Sequence, residues 1–123
     1  MFQDLYTIIG SSQSEGHYIH DLKLDPSHII YRVHFPGTPI TPGACQLEII
    51  RQLAGRALGT GVKVAEVRNI KYLRIISPDA NPSITVEETF SGTEVPGTFK
   101  CSAVIRDAGT VFTKASLILE PEG

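Results

Sequence analysis

A chain of 123 residues is one domain of ordinary size, long enough to bury about two-thirds of the surface that its unfolded form exposes. With 41% apolar and 20% charged residues and a net charge of −2, it lacks the basic excess that a phosphate backbone or an anionic membrane would attract, so neither nucleic acid nor membrane is expected as a partner. No stretch approaches the roughly 18 apolar residues of a spanning helix. The opening MFQDLYTIIG also lacks the basic start and long apolar run of a secretory signal, which makes the cytoplasm the expected location.

Taken in chain order, the first strand-like segment is 18–24. His17, His20 and His28 lie in or beside this stretch, but no cysteine or carboxylate completes a ligand set with them. Surface or half-buried histidines are therefore expected, and no metal. A second short strand is expected over 29–33, where apolar and β-branched residues cluster. The run His34 to Gly43, HFPGTPITPG, follows: Pro36, Pro39 and Pro42 fix three φ angles, while Gly37 and Gly43 permit tight turns. Such a segment holds few conformations and places a side chain reproducibly.

Gly43–Leu58 is the one convincing helix. Leu47, Ile50, Leu53, Ala54, Ala57 and Leu58 recur at steps of three and four, Pro42 and Gly43 mark the start, and Gly59 and Gly61 mark the stop. Further strands are expected over 62–73, 84–90, 98–106 and 111–119, the last two joined by a short Gly-containing connection. One long apolar helix with about six strands predicts an α+β fold, a curved antiparallel sheet wrapped around a central helix, in one domain spanning 1–123. Cys45 and Cys101 are too isolated for a disulfide framework and read as reduced thiols. No Walker loop and no GxGxxG occurs, so no nucleotide cofactor is expected.

Cys45, Glu48, Gln52 and Gly55 form a narrow small-or-polar stripe beside the helix's apolar face. Among Leu47, Ile49 and Ile50, the carboxyl of Glu48 is expected to be partly removed from water, which raises its pKa and suits a general acid. Arg51 and Arg56 offer the alternative of a simple ion pair. The helix start leaves amides at Gly43 and Ala44 without intrahelical acceptors, suited to polarising a carbonyl oxygen. A histidine, a carboxylic acid and such a helix start fit removal of a proton α to a carbonyl with loss of a β-hydroxyl.

The run His34-Phe35-Pro36-Gly37-Thr38-Pro39-Ile40-Thr41-Pro42-Gly43, with Gln46-Leu47-Glu48 and Gln52, resembles the signature of the β-hydroxyacyl-acyl carrier protein dehydratases of the hotdog fold. Weaker similarity continues through Asn69 to Arg74, Ser77-Pro78-Asp79 and the closing hairpin from Phe99 to Leu119. The resemblance implies that His34 is the base for the α-proton, that Glu48 protonates the departing hydroxyl, and that the Gly43 amide, beside that of Ala44, holds the thioester oxygen. It further implies that Gln52 supports Glu48 and that Phe35 lines the acyl tunnel. Arg51 stands where the family usually has a small apolar residue, and would lower the pKa of Glu48 if it points the same way.

By the same resemblance the partner is an acyl carrier protein bearing a 3-hydroxyacyl chain. The protomers would pair as a homodimer or higher assembly, with the active site completed between chains. Lys63, Arg68, Lys71 and Arg74 form a basic group that would suit an acidic carrier, with Arg68 and Arg74 on one face by strand alternation. Two alternatives remain open at the level of sequence: a hotdog thioesterase releasing free thiol, and a catalytically silent acyl-binding module.

Overall fold

The computed structural model describes residues 4–33 and 37–122. Two strands open the chain, β1 (Tyr6–Ser14) and β2 (His17–Leu24), and two helices follow, α1 (Ile29–Val33) and α2 (Gly43–Leu58). Four more strands complete it: β3 (Val62–Tyr72), β4 (Ser83–Gly92), β5 (Phe99–Asp107) and β6 (Thr110–Pro121). All pairings are antiparallel, in the order β1-β2-β4-β5-β6-β3, which leaves β1 and β3 as the edges.

One face of this sheet carries Leu22, Leu24, Ile84, Val86, Ala103, Ile105, Leu117 and Leu119, all buried, and against it α2 packs Cys45, Ile49, Ile50, Leu53 and Ala54. Each fully buried Leu or Ile contributes about 2 kcal/mol, so this face holds the helix in place. Gly59 ends α2 at φ 74°, a left-handed conformation that L side chains adopt reluctantly, with its N–H donating to the Gly55 carbonyl. Helix bounds and central placement agree with the sequence expectation. Cys45 and Cys101 are buried free thiols.

Two elements differ. The expected strand over 29–33 is instead the short helix α1: Ser27 N–H and Oγ donate to the Asp25 carboxylate at 2.9 and 2.6 Å, and Tyr31 N–H donates to the His28 carbonyl, turning the chain out of extended geometry. The adjacent Ile30 and Tyr31 are both buried, a pattern that strand alternation cannot produce. Strand β1 was not legible, because its second half, Ser11 to Ser14, is polar and exposed as befits an edge, and an irregularity between Ile8 and Gly10 breaks its alternation. It joins β2 through Glu15 and Gly16, both at positive φ (47° and 77°), the geometry of a tight two-residue hairpin.

Candidate active site

Buried polar contacts anchor the segment leading into α2. Thr41 N–H donates to the Ile76 carbonyl at 2.8 Å, and the Thr41 hydroxyl meets the Tyr31 hydroxyl at 2.9 Å. One turn into the helix, Gln46 donates to the Thr41 carbonyl at 3.1 Å and accepts from the Thr113 hydroxyl. Tyr31, Thr41, Gln46 and Thr113 are all buried, so losing any one partner would strand a polar group away from water. The sequence reading gave no role to Tyr31 or Thr113, which stand 82 positions apart (113 − 31) and join one polar chain only through folding.

Pro42 caps α2 with no side-chain hydrogen bond, and its carbonyl accepts from Cys45 and Gln46, so the Gly43 and Ala44 amides precede the first intrahelical bond. A cavity of about 270 Å³ opens here, lined by Ile40, Gly43, Gln46, Tyr72, Leu73 and Arg74 among others. A Cβ at Gly43 would lie 2.6 Å from the Tyr72 ring and hydroxyl, so only glycine lets that ring close over the helix start.

Glu48 does not match its expected electrostatics. Arg51 Nε donates to both carboxylate oxygens at 3.0 Å, and Arg51 Nη2 also contacts Glu48 Oε1. Arg51 is itself held by the Val62 carbonyl at 3.0 Å and by Glu122 at 3.1 Å. This fork lowers the Glu48 pKa, against a smaller opposing effect of burial, instead of the increase expected from its apolar neighbours. The side chain of Glu48 is 23% exposed, too wet for desolvation to win. Gln52 Nε2 lies 3.4 Å from Glu48 Oε1, and Gln52 Oε1 accepts from Tyr6 Oη at 2.7 Å. Removing the fork with Arg51→Leu is expected to move the Glu48 pKa upward in a carboxyl carbon NMR titration; an unchanged midpoint would mean that Arg51 does not hold the carboxylate.

Within one chain the helix start and Glu48 come together only partly. Glu48 follows Gly43 by five positions (48 − 43), roughly 140° around the axis and about 7.5 Å along it, and it does not line the cavity at the helix start. His34 and Phe35 fall outside the described residues. The other histidines are dispersed: His17 is half-buried as expected and pairs with Glu87 at 3.0 Å, whereas His20, 4% exposed, and His28, which accepts from the Ile30 amide, are more buried than expected. Alternation does not relate Arg68 to Arg74, because β3 is irregular between Val67 and Asn69 and Arg74 lies past its end.

A sheet closed over a single long helix, with a glycine-started helix cavity, invites comparison with known proteins. Similar solved structures include "The Dehydratase Heterocomplex ApeI:P from Xenorhabdus doucetiae", at TM-score 0.72 and 18% identity over 93% of this chain and 96% of that one. A hypothetical thioesterase with coenzyme A from Streptococcus pneumoniae TIGR4 aligns at TM-score 0.65 and 18% identity, over 96% of this chain and 86% of that one. The protein smu.793 from Streptococcus mutans UA159, bound to acetyl CoA, aligns at TM-score 0.65 and 13% identity, over 96% and 89%. At such identities the likeness is one of fold, and that fold is the hotdog. The sequence model of the ApeI-like family, described as ApeI dehydratase, matches residues 10–113, most of the chain, and this protein therefore belongs to the ApeI-like dehydratase family.

Proposed function

We propose that this protein removes water from 3-hydroxyacyl thioesters carried on acyl carrier protein, giving trans-2-enoyl thioesters, in fatty acid or polyene-type lipid synthesis. The observation that carries the reading is a dehydratase-family chain in which an uncapped helix start at Gly43 shares one helix with a firmly held Glu48. The Gly43 amide, with Ala44 beside it, polarises the thioester oxygen, which acidifies the α-carbon. His34 takes the α-proton. Because Arg51 and Gln52 hold Glu48 as a carboxylate, it orients the β-hydroxyl by accepting its hydrogen bond, and the imidazolium of His34 returns the proton as the C–O bond breaks. Water leaves and both side chains regain their starting states. The sequence-based assignment of Glu48 as the acid is the competing scheme; it requires activity that climbs as pH falls toward the carboxylate range.

Separation of Glu48 from the cavity within one chain supports a site completed between two copies, His34 and the helix start from one and Glu48 from the other. Edge strand β3 supports the same pairing: only Val62 of it is buried, and Val67, Tyr72, Leu73 and Ile75 are exposed on or just after it. Lys63 and Arg68 are engaged by Glu120 and Glu66, whereas Arg74 lines the cavity and, like Lys71, has no ion-pair partner among the described residues, which favours an acidic carrier at the mouth.

Incubation with 3-hydroxyacyl-acyl carrier proteins of several chain lengths, read by mass, tests the reading: loss of about 18 Da, one water, from the acyl group is the expected result, and thioester cleavage with free thiol would replace it with a thioesterase reading. Light scattering should give a dimer or larger. A monomer that gains activity only with a sister subunit would instead follow the heterocomplex for which the Xenorhabdus protein is named.

A further inference from the structure

The polar stripe of α2 does not end with Glu48 and Gln52. It is continued from across the fold by Tyr6, the first residue of β1, whose hydroxyl lies 2.7 Å from Gln52 Oε1. A primary amide has one accepting and one donating end, and a phenol donates readily. With its oxygen engaged by Tyr6, the amide of Gln52 must turn its NH2 toward Glu48, where Nε2 is found 3.4 Å from Oε1. Burial first, and then the Glu48 carboxylate nearby, keep the Tyr6 phenol protonated, so it stays a donor.

We propose that Tyr6 is a positioning residue of the active site, acting through Gln52 to fix the orientation and charge state of the Glu48 carboxylate. The inference rests on the dehydratase reading for its consequence in turnover, but not for its physical content. Without the Tyr6 hydroxyl the amide is free to rotate, and its flipped form sets Oε1 against a carboxylate oxygen. One donor to Glu48 is then lost, leaving Arg51 of α2 to hold the charge, itself shared with Glu122 and the Val62 carbonyl of β3. The other titratable groups facing this point are Arg56, one turn further along α2, and Glu88 from β4, which burial keeps neutral through the range in which Glu48 titrates. Strand β1 thereby gains a part in the chemistry that its sequence does not announce.

The test is a cycle of Tyr6→Phe, Gln52→Leu and the double variant, with circular dichroism to establish folding. Two readouts are taken: the Glu48 carboxyl titration by carbon NMR, and steady-state dehydration. Each single variant is expected to raise the Glu48 midpoint, and the double variant to raise it no further than Gln52→Leu does alone. In turnover, Tyr6→Phe is expected to lower kcat about fivefold to tenfold, the size of one net hydrogen bond, with KM within about twofold. An unchanged midpoint in Tyr6→Phe, or shifts that add in the double variant, would overturn the proposal. If the wild type dehydrates nothing, the functional reading fails while the titration still decides whether Tyr6 acts through Gln52.

Discussion

His34→Ala is expected to lower kcat/KM for dehydration by roughly 10²- to 10⁴-fold, the usual contribution of a positioned acid–base group, while leaving the melting transition almost unchanged. A histidine that both takes the α-proton and returns it to the leaving hydroxyl has no substitute within the run from His34 to Gly43, whose other residues carry no acid–base side chain; on α2, burial keeps the Cys45 thiol protonated and Arg51 binds Glu48. Glu48→Gln is expected to fall less, because an amide keeps one oxygen to accept the substrate hydroxyl. Rates measured by enoyl formation for both variants and the wild type decide the point. Equal losses at His34→Ala and Glu48→Gln, with wild-type activity climbing as the pH drops, would restore Glu48 as the acid; undiminished activity in His34→Ala would remove the histidine from the mechanism.

The second large effect concerns stability and lies outside the site. Glu88 on β4 is fully buried, its Oε1 has no hydrogen-bond partner among the described residues, and its Oε2 accepts only a long contact from the Cys101 thiol, at 3.9 Å. Burial pushes its pKa up to about 8 from an ordinary 4.5. Because the folded state holds this proton more tightly than the unfolded chain, the sign is opposite to that of a salt-bridged carboxylate. Below pH 4.5 both states are protonated and nothing is lost; from there to about 8 only the unfolded chain ionises, and stability falls with each unit of pH. At 1.36 kcal/mol per unit the cost at pH 7 reaches about 3 kcal/mol. Glu88→Gln removes the titration and keeps the shape. Its advantage over the wild type in urea unfolding should therefore widen by roughly 1.4 kcal/mol per unit between about pH 5 and pH 8. Parallel stability curves would show that Glu88 is ionised in the folded protein.

Glu88 is also a residue that alternation alone would have placed on the core face, with Val86 and Ile84 two and four positions before it. The pattern of the strand was legible; that a carboxylic acid obeyed it was not, because the adjacent pair Glu87 and Glu88 reads equally as a polar break in the strand. Arg51 shows the converse. Its spacing from Glu48 allowed the contact, but the choice between that pair and a protonated Glu48 depended on Val62 and Glu122, brought up by β3 and the end of β6 to hold the guanidinium in place.

What the sequence determined by itself was periodic or covalent. Helix α2 followed from apolar residues at steps of three and four between a proline start and a glycine stop, and the hairpin of β5 and β6 from two β-rich runs across a short turn. The stiffness of the loop before α2 followed from its prolines, and its residue order carried the family resemblance. Tertiary structure decided what depends on residues far apart in the chain. It turned 29–33 into a helix by burying Ile30 beside Tyr31, paired the polar edge strand β1 with β2, and set Tyr6 on Gln52 across 46 positions. It also fixed the charge on Glu48. The physical reason is common to all of these: local propensity is worth tenths of a kcal/mol per residue, while a buried contact or a charged hydrogen bond is worth about 1–3 kcal/mol, so the partners that folding supplies outweigh the preferences that the chain carries locally.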